Sequence, residues 1–462
     1  MDLHQQSLCS HIPEPILLNR DKPQRAVRFL LICFVIETSW HEGQKNGYVI
    51  RMGPAYLAGQ LLNAGHEVEQ YYCPYSDNKE ELLANIADAI RSSLPDVISF
   101  SITSDNFWML KISAEYIKEN YRLPIIVGGP HAIIDPQSIL GLDGVSAVCV
   151  GEGELPLVKF ANAVADGKPF HHVEGWWFRE GKASYPGVLH DIDRLCHPDR
   201  DGYMEKYSGQ FRNGWVFQSN RGCPYRCTFC SETFFRTKFK GKKYLRSRCI
   251  DGLIEEIRLT TEKYSAKMSK FVGFSNPTFN IDGRWLIDFC EKYARHIGYP
   301  FGCDLELSNV SKETIAALTQ ANCRTAWIGF ESGNDFVRKE ILRKNLTTRE
   351  AMAKIELLRS ARIEVELYAI IGLPFETGPM IEDTYNALKS ISADAILPSI
   401  FIPFPGTELG ELCYERGWAE RICKETARPI SGYYRSILEY PHITQAKIQH
   451  YYDKIREINQ NG

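Results

Sequence analysis

The sequence predicts an α/β protein of two parallel-sheet units in series, the first doubly wound and the second a partial barrel, with a helical tail behind them. Short apolar runs alternate with amphipathic stretches from Val27 to Ala165, and the same alternation resumes from Gly214 to Glu408. Between the two, HDIDRLCHPDRDGY is dense in Pro, Asp and Gly, the composition of an inter-domain passage. The expected limits are an N-terminal extension over residues 1–24, a first unit over 25–166, a linker over 167–210, a barrel over 211–410 and a tail over 411–462.

In the first unit the strand candidates are residues 27–36, 66–72, 96–103, 123–129 and 145–151. Continuous apolar runs are what strands covered on both faces require, and helical periodicity, as in PAYLAGQLLNAG and KEELLANIADAIRSSL, fills the intervals. Five such strands with crossover helices read as a Rossmann-like sheet, which takes its ligand beyond the carboxyl ends of its strands. Small and permissive residues stand there. Ser101 and Thr103 close the third strand, Gly128, Gly129 and His131 follow the fourth, and Gly151, Glu152, Gly153 and Glu154 follow the fifth and open a helix. Glycines at these turns accept a positive φ and let a bulky ligand approach the main chain. A nucleotide is the generic occupant, yet no G-x-G-x-x-G follows the first strand and no P-loop lysine is present. Residues 166–187, DGKPFHHVEGWWFREGKASYPG, read as a small hairpin, in which His171 and His172 complete no ligand set.

In the second unit strands are expected at 216–219, 270–275, 301–307, 324–330, 364–372 and 395–402, with helices such as IDGLIEEIRLTTEKY between them. Six strand-helix repeats fit a partial barrel, and chemistry in such folds collects at the C-terminal strand ends. Ser275, Asn276 and Pro277 end the second strand, and Glu331 in IGFESGND ends the fourth. Arg343 and Lys344 follow in ILRKNLT, Gly372, Leu373 and Pro374 follow the fifth strand in IIGLPFET, and FIPFPGTEL follows the sixth. The plain alternatives are a structural salt bridge for Glu331 and a solvated helix face for Arg343 and Lys344.

Directly after the first barrel strand comes RGCPYRCTFC, with Cys223, Cys227 and Cys230 inside eight residues. Thiolates gathered this tightly hold soft metal or an iron-sulfur cluster, and three rather than four would leave one iron of a cubane open to a cofactor or substrate. A zinc knuckle would want a fourth Cys or His at matching spacing, and none follows within the next dozen residues. Chance clustering in a chain of 14 cysteines is the other alternative.

A net charge of -3 excludes a nucleic-acid binder working by bulk charge. The start, MDLHQQSLCSHIPEP, has no positive region followed by an apolar core, so the thiols are expected to be reduced and the protein cytoplasmic. No apolar run approaches the ~20 residues that span a bilayer, so no transmembrane segment is expected.

The pattern C-x3-C-x2-C, with Phe229 just before the last cysteine, resembles the radical S-adenosylmethionine superfamily. There, three cysteines hold a [4Fe-4S] cluster that S-adenosylmethionine chelates at the fourth iron. The segments GGPHA and VGEGE, with Ser101 and Thr103, are similar to the cobalamin-binding domain that precedes many such barrels. The resemblance covers most of the chain and implies three cofactors: the cluster on Cys223, Cys227 and Cys230, S-adenosylmethionine, and cobalamin against Ser101, Thr103, Gly128, Gly129, His131 and Gly151 to Glu154. It implies that Ser275 and Asn276 meet the amino group of S-adenosylmethionine. Glu331 would meet the ribose hydroxyls as the candidate catalytic residue, Arg343 or Lys344 the methionyl carboxylate, and Gly372, Leu373 and Pro374 the adenine. The chain departs from the family in two places. The subgroup more often carries acidic residues where Ser275 and Asn276 stand. The Asp-x-His-x-x-Gly run that supplies a histidine to cobalt is absent after Ile36, where the chain reads ETSWHEGQKNGYVIRMG. His41 is read as ordinary surface, and the cobalt is expected to have no histidine below it.

The activity implied is methyl transfer to an unactivated carbon or phosphorus centre of a small-molecule biosynthetic intermediate. In the family, the cluster makes a 5'-deoxyadenosyl radical and methylcobalamin is the methyl donor, with a flavodoxin- or ferredoxin-type protein as reductant. The second reading keeps both cofactors without methyl transfer, as in a cyclase or a rearranging or oxidative enzyme. A methylthiotransferase would carry three more cluster cysteines near the N-terminus, whereas Cys33, Cys73 and Cys149 lie in or beside buried strands. A cobalamin sensor or carrier would leave the cysteine loop unexplained.

Overall fold

The computed structural model describes residues 25–460 except 36, 39–46, 49–50, 77, 180, 182–186, 208–214, 240–242, 266–269 and 423–434. The expected N-terminal extension and His41 lie outside the described residues. The first unit is a six-stranded sheet of β1 (Arg28–Val35), β2 (Glu67–Pro74), β3 (Val97–Ser101), β4 (Ile125–Gly128), β5 (Val145–Cys149) and β6 (Trp176–Phe178), in the order β2-β1-β3-β4-β5-β6. Strands β1 to β5 are parallel. Every residue of β1 after Arg28 is buried, and the strand feeds two cores by alternation. Phe29 and Leu31 join Ala58, Leu61, Leu157 and Ala161, from helices Met52–Asn63 and Glu154–Ala165. Leu30, Ile32 and Phe34 join Leu82, Ile86, Leu110 and Ile117, from helices Lys79–Ser93 and Phe107–Asn120. The stretch expected to be only a linker hairpin supplies β6, antiparallel to β5. The buried Trp176 explains this, because its indole N–H donates to the Pro156 carbonyl at 3.1 Å and ties the strand to the preceding helix.

The second unit is a six-stranded parallel sheet of β7 (Trp215–Phe217), β8 (Val272–Phe274), β9 (Phe301–Asp304), β10 (Cys323–Glu331), β11 (Glu364–Ile371) and β12 (Ala395–Ile400), its strands neighbouring one another in chain order. Helices Ile250–Lys263, Gly283–His296, Lys312–Gln320, Thr348–Ser360 and Gly378–Ser390 fill the crossovers. Local rules place their starts. Thr347 and Glu350 form a reciprocal capping box, and Asp282 accepts from the N–H groups of Arg284 and Trp285. Helix Gln445–Arg456 lies against β12. Beyond it the Asn459 side chain acts as a strand residue, accepting from Ile396 N–H at 2.8 Å and donating to the Ile396 carbonyl at 2.6 Å.

The two units share one core. Val35, Met52 and Tyr56 of the first, and Leu195 and Tyr203 of the connection, pack with Trp215, Ile250 and Ile257 of the second. Charges are buried inside this junction. The Arg200 guanidinium lies 4.4 Å from the Phe217 ring centre and donates to the Val216 carbonyl at 2.8 Å and to Glu256 at 2.8 Å. Arg248 donates to the other Glu256 oxygen at 2.8 Å and to Asp193 at 2.6 Å. Burial alone would raise the Glu256 carboxyl, but Arg248 and Arg200 outweigh it and hold the group below the ordinary range. Removing one partner of such a set leaves buried charge without its complement. Glu256→Gln is therefore expected to cost roughly 3 to 5 kcal/mol, read as a drop in the urea midpoint. An unchanged midpoint would show that the network does not hold the junction.

Candidate functional site

The cysteine loop leaves the carboxyl end of β7 and is pinned along its length. Gly222 has φ +88, and a Cβ there would lie 2.7 Å from the Tyr244 carbonyl, so only glycine makes this turn. The Thr228 hydroxyl donates to the Ile341 carbonyl at 2.6 Å, and the Thr228 carbonyl accepts from Leu409 N–H at 3.1 Å. Cys230 ends the loop as the residue before helix Ser231–Lys238, and the Thr233 hydroxyl donates back to the Cys227 carbonyl at 2.9 Å. Cys223, Cys227 and Cys230 are half-buried, whereas Cys33, Cys73, Cys149, Cys249, Cys290, Cys303, Cys323 and Cys413 are buried. Burial pushes the loop thiols up, Cys223 to about 11 and Cys230 to about 12, and Lys344 pulls against that rise at Cys227. Thiols of this kind become thiolates through the metal they bind. Three half-buried thiols on one pinned loop are a donor set that fits [4Fe-4S] with one iron left open.

Across from the loop, the end of β10 holds Glu331, 7% exposed and at φ +65. A Cβ at Gly329 would lie 2.4 Å from its Oε1, so the glycine makes room for the carboxylate. Lys344 Nζ lies 3.8 Å from Glu331 Oε1 and 3.3 Å from Glu306 Oε2. Burial raises the Glu331 carboxyl while Lys344 and Arg338 pull it down. Burial alone would lower Lys344, but Glu306 and Glu331 outweigh it and hold the ammonium above the ordinary lysine range. Arg338, buried, donates to the carbonyls of Phe330, Ser332 and Leu346 and braces this strand end.

Two expectations are corrected at the barrel rim. Arg343 points away and pairs with Glu408 at an exposed position, so of the two basic residues only Lys344 stands with Glu331. Asn276 Oδ1 accepts from Ser219 N–H at 2.7 Å and Asn220 N–H at 3.3 Å, which leaves only its Nδ2, a buried donor without a partner, and a donor cannot receive an ammonium. Ser275 is exposed. The neighbouring acceptor is Asp304 at the end of β9, whose carboxyl burial raises to about 7 against a hydrogen bond from the Asn276 backbone.

After β11, Gly372 has φ +71, and Leu373 and Pro374 are buried. The turn is organised by Glu376, which sequence reasoning missed although it stands in the same run. It is fully buried, accepts from Leu373 N–H at 3.1 Å, and burial raises it to about 8. The Tyr440 hydroxyl, from the tail, donates to the Gly372 carbonyl at 3.0 Å.

In the first unit, Ser101, Gly128, Gly129, Gly151, Glu152, Gly153 and Glu154 all line one cavity of about 250 Å³, joined there by Gln218 and Arg221 from the start of the cysteine loop. At Gly129 φ is +98, and a Cβ would lie 2.5 Å from the Ile102 carbonyl. Thr103 and His131 are not among the lining residues. Thr103 caps a short turn and accepts from Arg51 at 3.2 Å. His131 Nδ1 lies 2.9 Å from the Ser104 hydroxyl, and burial lowers the ring to about 4, so it stays neutral. Among the described residues no histidine lines the cavity. A cradle of glycines and serine hydroxyls at three strand ends lets the main chain approach part of a flat, bulky group such as cobalamin, and in that respect the residues fit it.

The B12 binding domain family matches residues 46–161 and the Radical SAM superfamily matches residues 217–388. An uncharacterized methyltransferase of Pyrococcus horikoshii is 26% identical over 373 residues, 78% of this chain and 77% of that one. The anaerobic magnesium-protoporphyrin IX monomethyl ester cyclase of Rubrivivax gelatinosus is 24% identical over 375 residues, 77% of this chain but 64% of the cyclase. Among solved structures, the radical S-adenosylmethionine methyltransferase TsrM of Kitasatospora setae, with cobalamin and a [4Fe-4S] cluster bound, superposes with a TM-score of 0.67 at 14% identity, over 93% of this chain and 85% of that one. At that identity the likeness is one of fold. The barrel and its cysteine loop define a radical S-adenosylmethionine enzyme. With its B12 binding domain, this chain belongs to the cobalamin-dependent branch of that superfamily, whose cofactors are a [4Fe-4S] cluster, S-adenosylmethionine and cobalamin. Among the described residues no helix is long and apolar enough to cross a membrane.

Three outcomes follow from this geometry. Changing Cys223, Cys227 or Cys230 to Ala is expected to remove the cluster's visible absorption and reductive cleavage of S-adenosylmethionine, while Cys290→Ala leaves both; cleavage retained in all three loop variants would refute the ligand set. A Cβ at Gly153 meets the Leu57 side chain at 3.2 Å, so Gly153→Val is expected to lower bound cobalamin about tenfold at unchanged iron content, read by metal analysis. Glu376 is protonated in the folded state up to about pH 8 but ionises near 4.5 when unfolded, so its contribution to stability is present at low pH and is lost as the pH rises through that window. Glu376→Gln should flatten the pH dependence of the melting temperature between those limits, and parallel curves for the two proteins would exclude the assignment.

Proposed function

We propose that this enzyme is a methyltransferase acting on an unactivated carbon or phosphorus centre of a small molecule. The observation that carries the reading is the shared cavity. Gly151 to Glu154, after β5, and Gln218 and Arg221, after β7, line the same space, with Arg221 two residues ahead of Cys223. A methyl carrier held there would lie beside the root of the loop that holds the radical source, so the two could act in turn on one substrate. When bound, the cluster with S-adenosylmethionine supplies a carbon-centred radical and cobalamin supplies a methyl group. The chain's residues hold these groups in place. Cys223, Cys227 and Cys230 would ligate the cluster, Glu331 would accept hydrogen bonds from ribose hydroxyls, and Lys344 would meet the methionyl carboxylate. The turn from Gly372 to Pro374 would receive the adenine, and Ser101, Gly128, Gly129 and Gly151 to Glu154 the corrin and its tail. The methyltransferase name of the Pyrococcus protein supports this reading. A flavodoxin- or ferredoxin-type protein would supply electrons, and the setting would be the cytoplasm.

A second reading, cyclisation without methyl transfer, is favoured by the cyclase relative, which aligns with 77% of this chain. Product analysis separates the two. Methyl transfer consumes two S-adenosylmethionine molecules and is expected to give 5'-deoxyadenosine and S-adenosylhomocysteine in near-equal amounts with one methylated product. Glu331→Ala is expected to lower both by roughly one to two orders of magnitude, as for ~1.5 to 3 kcal/mol of a charge-assisted contact. Substrate turnover that yields 5'-deoxyadenosine and no S-adenosylhomocysteine would overturn methyl transfer in favour of the cyclase-like reading.

A further inference from the structure

The rim of the shared cavity carries a closed set of charges whose acids and bases come from opposite units. Glu152 receives both terminal nitrogens of Arg246, each at 2.8 Å and on different oxygens, together with Arg221 Nη1 at 3.3 Å. Glu154 receives Arg221 Nη2 at 2.6 Å. Glu152 stands on the turn after β5 and Glu154 opens the helix that follows, whereas the two arginines face each other across the short antiparallel ladder Asn220–Arg221 with Arg246–Ser247, at the root of the cysteine loop. The connection between the units is tied into the same set. Leu189 N–H donates to Glu152 at 2.7 Å, and the Leu189 carbonyl accepts from Arg246 at 2.7 Å. The Arg246 side chain is 2% exposed and lies outside the cavity lining.

Burying these four charges costs much of what their pairing returns, so stability alone is a weak reason for the network. A planar guanidinium held on two carboxylate oxygens instead fixes distance and orientation together, which a point charge cannot do. We propose that the pairs Glu152–Arg246 and Glu154–Arg221 form a latch that sets the separation of the cobalamin cavity from the cluster loop, with Arg246 and Arg221 as positioning residues for methyl transfer. The proposal rests on the methyltransferase reading for its consequence in turnover, but not for the geometry it assigns.

The test uses holoenzyme reconstituted with cluster and cobalamin, in Arg246→Gln and Arg246→Lys. The magnetic interaction between the reduced cluster and cob(II)alamin, read by electron paramagnetic resonance, reports their separation without turnover. Arg246→Gln is expected to retain iron, cobalamin and a cooperative melt while the spin-spin splitting shifts or broadens. It should also form roughly tenfold more 5'-deoxyadenosine per methylated product. Arg246→Lys should fall between it and the unmodified enzyme. The latch is overturned if the splitting and the product ratio of Arg246→Gln match the unmodified enzyme. It is equally overturned if both variants lose iron and cobalamin together, since that is the signature of a purely structural pair. An unmodified enzyme that makes no methylated product would refute the methyltransferase reading, and the splitting would still decide the latch.

Discussion

The carboxyl ends of β3 to β5 and the root of the cysteine loop can line one space only if the units carrying them cannot turn against each other, and that constraint governs this molecule. It is met by packing and by charge together. The core that begins at Val35 and Tyr56 continues through Leu195 and Tyr203 into Trp215 and Ile257, so the junction is an interior rather than a surface. Within it, Glu256 serves two arginines, one from the connection and one from just before its own helix. Charges placed there tolerate few arrangements, because any rotation of one unit would leave a desolvated group without its complement.

Behind that rigid frame, the barrel rim combines backbone conformations and charges that would each be unfavourable alone. Glu331 and Phe375 are non-glycine residues at positive φ, at the ends of β10 and in the turn after β11. Glu331 is also buried beside Lys344, which in turn faces Glu306. Strain and desolvation gathered at strand ends mark places where the surrounding structure over-determines local geometry, as pre-organised binding sites require. The arrangement is electrostatically balanced at Lys344 and left acidic at Asp304.

The strands of both units were legible because runs such as FLLICFV and WIGF carry no charged or polar side chain, and strands buried on both faces read that way. The cysteine loop was legible because its ligands are local in sequence. Much of what failed depended on the direction of a side chain, which no spacing reveals. Arg343 and Lys344 are neighbours in sequence, yet one meets Glu408 at the surface and the other meets Glu331 inside. His131 follows the glycine turn as a ligand would, but its ring is taken by Ser104. Asn276 is spent on the end of β7, and Arg221 and Arg246 gain their partners only when distant units pack. The β6 strand was hidden by its short length and by the turn residues around it.

A sheet that stops short of closing must expose two borders. On the β12 side, the Asn459 amide occupies both hydrogen-bonding groups of Ile396, mimicking one residue of a strand that is not there. A border blocked in this way cannot recruit a strand from another molecule at that position. The short turn Glu457–Gln460 that carries Asn459 thus completes the last strand from outside the barrel, lending it at Ile396 the hydrogen-bonding partner that a seventh strand would have supplied.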